Sequence, residues 1–162
     1  MVDKVYEDIL EAAKRLTGLE RRAIDYGQCQ MRIAERAKDP NSGYTEDEWD
    51  ELDDYVVVDK FKRVGNFMEE MTYPVMKSFL KKWAKNSTWE GSFKRVHEHD
   101  NVVYLELEER NMHDGELAVA NSVSVYHFND EGKLYHLDVY LQRAPSKHEG
   151  MPNPAYEEIL GQ

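Results

Sequence analysis

Apolar positions recur with two different periods along the chain, and the change falls near residue 88. In the first half Val5, Ile9, Ala12 and Leu16 repeat at helical spacing, Gly18 interrupts, and Leu19, Ala23, Tyr26, Gln30 and Ile33 continue the stripe to about Ala37. Two polar residues, Tyr26 and Gln30, therefore fall on the side of this helix that should be buried. Asp39-Pro40-Asn41-Ser42-Gly43 stops it. Thr45 followed by Glu48 then forms the capping-box pattern of a short helix that carries Trp49 and Leu52 inward and ends near Tyr55. The β-branched and aromatic run from Val56 to Phe67 predicts a strand over 60–66. Thr72 caps the next helix, with Pro74 in its first turn and Met76, Phe79, Leu80 and Trp83 on one face.

From Thr88 the period becomes that of extended chain. Strands are predicted over 88–98, 102–110, 117–128 and 133–142, broken at His99-Asp100-Asn101, at the stretch from Asn111 to Glu116, and at Asn129-Asp130-Glu131-Gly132. Links this short demand an antiparallel meander. Pro145, Pro152 and Pro154 bar the tail from a central strand and leave a helical turn or two over 155–160. Helices gathered ahead of a sheet with one apolar face predict an α+β fold, with three N-terminal helices covering a strongly curved, mostly antiparallel sheet. The 162 residues suit one domain over 1–142, with 1–18 as an N-terminal helical extension and 143–162 as a Pro-containing tail.

That order of elements resembles the nuclear transport factor 2-like superfamily, with its SnoaL-like and ketosteroid-isomerase-like members. The stretch "SVSVYHFNDEGKLYHLDVYL" (122–141) is similar to the family's last hairpin, and "EDEWDELDDY" and "TYPVMKSFLKKWA" to its second and third helices. The resemblance runs from about Leu19 to Gln142 and implies a cone-shaped pocket between helices and sheet. Because side chains alternate faces along a strand, it also implies that Tyr135, Leu137, Val139 and Leu141 point into the pocket, with His136, Asp138 and Tyr140 on the convex face. Ser122, Ser124, Tyr126 and Phe128 fall on the pocket side of the preceding strand. Val139 stands where SnoaL-like cyclases and epoxide hydrolases keep an acid, Ser124 where ketosteroid isomerases keep a protonated one, and Val64 near the isomerase base. Asp138 is one residue out of phase, so either a bulge shifts the register or the chain lacks that acid.

Charge and composition narrow the partners. With 21 Lys and Arg against 32 Asp and Glu the net charge is −11, and the basic clusters are short, so nucleic acid is not an expected partner. A single cysteine, Cys29, excludes an internal disulfide framework and clusters needing several thiolates; it reads as a buried structural thiol in a reducing compartment. About 18 apolar residues nowhere run together and the N-terminus carries no cleavage-site pattern, which predicts a cytoplasmic protein with no membrane partner.

Several constellations could carry chemistry. Glu106 and Glu108 alternate with Leu105 and Leu107, so both carboxylates leave one face of one strand, either as an acid/base pair or as a solvated stripe with the leucines in the core. Tyr26 and Gln30, with Arg63 or Asn66 from the first strand, are candidate donors to a carbonyl or enolate oxygen. His97-Glu98-His99 mimics the opening of a cupin metal motif, but Glu106 comes too late and the second motif has no match, so no metal site is expected. His127 and His136 flank the last turn as a cross-strand pair, and Val123, Val125, His127 and Tyr140 form the expected homodimer face. Trp49, Trp83, Trp89, Phe79 and Phe93 are read as core aromatics.

The expected function is a cofactor-independent enzyme acting by proton transfer on a hydrophobic or aromatic small molecule, as an isomerase, dehydratase, C–C lyase or cyclase. Glu106, Glu108 and Tyr26 are the catalytic candidates, and Arg63, Asn66, Ser124, Tyr126, Leu137 and Val139 the substrate contacts, with no metal and no cofactor. The competing expectation is a non-catalytic carrier of the same fold.

Overall fold

The computed structural model describes residues 6–143. The chain runs β1 (Glu7–Asp8), α1 (Ile9–Ala13), α2 (Gly18–Lys38), a 3-10 helix (Glu46–Asp54), β2 (Lys62–Val64), β3 (Glu70–Thr72), α3 (Tyr73–Trp83), β4 (Ser87–His99), β5 (Val102–His113), β6 (Glu116–Phe128) and β7 (Leu134–Arg143). The described residues form four helical elements on a curved, open, mixed sheet of seven strands in the order β1-β4-β5-β6-β7-β2-β3. All pairings are antiparallel except β2 with β7, which run parallel.

The N-terminal helix is shorter than its periodicity predicts. Glu7 and Asp8 extend the sheet by pairing with Phe93 and Ser92, Asp8 caps α1, and only then does the chain turn helical. Gly18 supplies the left-handed conformation (φ +57°) that swings α2 away from α1, so the predicted interruption is real. The expected helix over 46–55 forms as a 3-10 helix. Seven of its nine residues are acidic, so like charges crowd every turn, and the capping box of Thr45 and Glu48 and cations from the flanking helices offset that repulsion. Arg32 and Arg36 of α2 pair with Glu51 and Glu48, while Lys77 and Lys81 of α3 pair with Asp50 and Glu46. Its two apolar residues, Trp49 and Leu52, are fully buried, and the Trp49 indole donates to the Tyr44 hydroxyl at 2.8 Å.

The four long strands lie where predicted and run further than expected at one end. The break expected from Asn111 to Glu116 shrinks to Asp114-Gly115, both at positive φ, as a two-residue hairpin requires. Asp100-Asn101 makes the same kind of turn between β4 and β5. Bulges at Phe93/Arg95 and His127/Phe128 bend the sheet toward the helices. The short strand β3, which the sequence pattern does not announce, forms a hairpin with β2. The Pro-containing tail expected from residue 143 lies, apart from Arg143, outside the described residues. No helix among the described residues is long and apolar enough to cross a membrane.

Candidate functional site

Between α2, α3 and the concave face of the sheet lies a cavity of about 230 Å³. Its walls are mostly apolar, from Ile24, Met76 and Leu80 on the helices to Leu105, Leu107 and Val139 on the strands. A few polar side chains converge on it from every wall: Tyr26 and Gln30 from α2, Arg63 from β2, Glu109 and Asn111 from β5, and Ser124 and Tyr126 from β6. A second depression, bounded by Asp25, Cys29, Arg32 and Tyr55, involves none of the sheet and is more open to solvent.

Strand parity decides which acid reaches the cavity. Leu105 and Leu107 point inward, so the carboxylate in phase with them is Glu109. Glu106 and Glu108 project from the opposite face, where Glu106 pairs with Arg95 at 2.6 Å and Glu108 with the buried Arg110 at 2.7 Å. The expectation that either lies in the pocket is therefore corrected: the leucines take the core and these two acids neutralise cations on the convex side. Glu109 is held in place by the Trp89 indole, which donates to its Oε2 at 2.8 Å. The Trp89 ring in turn lies against Gly91, where a Cβ would meet it at 2.4 Å.

Tyr26 is 3% exposed and Tyr126 is 7% exposed, and their rings meet edge to face at 6.4 Å. The Tyr26 hydroxyl donates to the thioether of Met76 at 3.3 Å, a weak acceptor that a ligand oxygen would readily replace. Burial pushes the Tyr26 hydroxyl far above the ordinary phenol range; Tyr126 adds to the rise, while Arg63 and Gln30 oppose it. Burial and the nearby Glu109 carboxylate push Tyr126 up in the same way, against Ser124 and Arg63. Both phenols stay protonated, as donors, at any physiological pH.

Of the other sequence-predicted residues, Arg63, Ser124, Tyr126, Leu137 and Val139 line the cavity. Arg63 also sits 3.6 Å from Glu69. Asn66 does not line it: its Oδ1 accepts from the Leu141 backbone N–H at 3.1 Å and ties the end of β2 to β7. Tyr135 was expected inward but is 41% exposed, because the bulge at His127/Phe128 turns Leu134 inward in its stead. Asp138 stays on the convex side with His127 and His136, so the bulge brings no acid to Val139's place. Phe79, expected in the core, stands half exposed on the cavity wall. Cys29 is buried as expected, and burial raises its thiol above the ordinary range. His97 and His99 are exposed near a hairpin end. Sequence reasoning missed Glu109, Asn111 and Trp89, although the phase of Leu105 and Leu107 was the signal that marks Glu109.

A layer of helices over a bent, open sheet that closes around a hollow defines a nuclear transport factor 2-like fold. Solved structures agree. A candidate SnoaL-like polyketide cyclase from Shewanella putrefaciens superposes with a TM-score of 0.63 at 8% identity, over 87% of this chain and 92% of that one. An NTF2-like protein of unknown function from Pseudomonas aeruginosa gives 0.54 at 17% identity, over 77% and 99%. A pinacolase from Penicillium brevicompactum gives 0.55 at 11%, over 77% and 89%. At these identities the likeness is one of fold. No protein-family model and no curated protein sequence matches the chain.

Proposed function

We propose that this chain is a cofactor-independent enzyme that moves a proton on a small hydrophobic or aromatic molecule, in an isomerase, dehydratase, C–C lyase or cyclase reaction. The observation that carries this reading is one carboxylate, fixed by an indole, in the same apolar hollow as two buried, protonated phenols and a guanidinium. Proteins of this fold include small-molecule catalysts, the pinacolase among them. Glu109 takes the acid/base role. Tyr26, with Tyr126 and Arg63, supplies the fixed donors that an enolate or alkoxide oxygen needs in a water-poor site. An engineered cavity of about 150 Å³ accepts benzene, so the present volume fits a substituted ring or a small bicycle.

The test is proton–deuterium exchange at the α-carbon of small aromatic and cyclic ketones in heavy water, followed by NMR. The wild-type chain accelerates exchange for at least one of them. Glu109→Gln then slows it by roughly 100-fold or more, and Tyr26→Phe by about 3 kcal/mol, or roughly 100-fold. Exchange untouched by Glu109→Gln sinks the assignment.

The carrier reading has its own support: Val64, Val139 and Ser124 stand where the resemblance leads one to expect acids. It predicts ligands that raise the melting temperature and are released unchanged, with no exchange above background. For assembly we propose a homodimer through Val123, Val125, His127 and Tyr140, and for setting the cytoplasm, where a lone buried thiol stays reduced.

A further inference from the structure

The convex face of the sheet carries a cluster for which the pocket has no use. His127 of β6 and His136 of β7 stand directly opposite each other in the antiparallel register, and Asp138 follows two residues on along the same face. The two imidazoles meet edge to face with centroids 5.1 Å apart. Both aim Nε2 at one carboxylate: His136 Nε2 is 2.9 Å from Asp138 Oδ1, and His127 Nε2 is 3.6 Å from Asp138 Oδ2. One donor atom from each of the three residues lies within 4.8 Å of the others. The side chains are 29%, 29% and 24% exposed, so the cluster is seated in the sheet yet open on one side.

We propose that His127, His136 and Asp138 bind a divalent first-row transition metal of the zinc type, with the remaining coordination positions open on the convex face, to water in a single chain or to the facing surface in the dimer proposed above. A tetrahedral ion holds its ligands roughly 2 Å from itself and so about 3.3 Å from one another. The observed separations, 2.9 Å from His136 to Oδ1 and 3.6 Å from His127 to Oδ2, fall near that spacing, each imidazole facing its own oxygen of the carboxylate. A salt bridge explains one imidazole against Asp138; a metal explains why a second, from the facing strand, converges on the same carboxylate. Two imidazoles and one carboxylate select zinc, cobalt or nickel over calcium or magnesium, which require mostly oxygen ligands. All three ligands come from one short hairpin whose bulge sets the approach of His127, so little chain has to be ordered on binding. Lys62 pairs opposite His136 on the neighbouring strand, but its ammonium is drawn to Glu70 at 3.0 Å. The site is independent of the pocket reading, because the cavity opens on the other face of the sheet.

The experiment strips the full chain with a chelator and titrates it with cobalt(II) and then zinc(II), following heat and the visible absorption of cobalt. One equivalent of cobalt binds per chain and zinc displaces it. His127→Ala and His136→Ala each weaken binding by about 100-fold, and Asp138→Asn by at least about tenfold. Glu109→Gln, and His97→Ala with His99→Ala, leave it unchanged. In the wild-type chain, which does not depend on any variant folding, zinc moves the ring proton NMR signals of His127 and His136 and leaves those of His97 and His99 in place. Absence of a stoichiometric equivalent, binding that survives loss of His127 and His136, or zinc shifts that follow His97 and His99 overturns the proposal.

Discussion

One position along β5 separates a carboxylate in the hollow from one on the convex face, and that single step decides which residue can meet a ligand. Glu109 is useful to a reaction only while its orientation is fixed, and the fixing bond comes from Trp89, whose ring position depends in turn on Gly91 having no side chain. A methyl group at Gly91 would lie 2.4 Å from the indole, which must turn and release Glu109. Gly91→Ala is thus expected to slow proton transfer by roughly tenfold or more without touching the substrate itself. It should also shift the Trp89 indole N–H resonance while those of Trp49 and Trp83 stay in place; an unmoved Trp89 signal would separate the indole from the glycine. The residues of the site were legible unevenly. Tyr26 follows from helix phase, and Ser124 and Tyr126 from strand phase once the family resemblance fixes the register. On β5 alternation alone leaves Glu106 and Glu108 either an acid pair in the pocket or a solvated stripe with the leucines in the core; the structure takes the second, which puts Glu109 in phase with Leu105 and Leu107.

At the scale of elements, periodicity located α2, α3 and all four long strands because each buries one long apolar face. It failed where packing and charge, not periodicity, set the outcome: β1 and β3 are too short to show a pattern, and the acidic stretch 46–54 becomes a 3-10 helix held by its neighbours. That dependence on neighbours makes the helix sensitive to acid. A hydrogen bond from Arg36 holds the Glu48 carboxyl below its ordinary range, and Lys77 does the same for Asp50. A carboxyl lowered in the folded state contributes stability that is complete above its unfolded value, about 4, and is lost as pH falls through the lower folded value. Melting temperature should therefore hold steady from neutrality to about pH 5 and decline below about pH 4. Glu48→Gln should lower it at neutral pH and flatten the decline, since the proton that drives the loss has nowhere to bind. A decline of equal steepness in this variant would assign acid sensitivity to other carboxyls.

For the whole molecule, the two faces of the sheet divide the labour. The concave face is spent on the hollow and its covering helices, while the convex face leaves Tyr104, Val123 and Tyr140 at 46%, 38% and 60% exposure beside the half-buried Val125 and His127. Apolar side chains gathered on one sheet face are costly to leave in water, and a twofold partner presenting the same face would cover them without obstructing the hollow on the other side. Sedimentation of the wild-type chain at micromolar concentration is therefore expected to give twice the chain mass. Val123→Glu with Tyr140→Glu adds two like charges per protomer to the centre of that face and should give a folded monomer. Because Val123 and Tyr140 are 38% and 60% exposed within one protomer and lie outside the core, the substitutions leave the core intact, so the melting profile distinguishes a lost interface from a lost fold. If the wild type sediments as a monomer, the exposed valine and tyrosines have some other use and the dimer proposal fails.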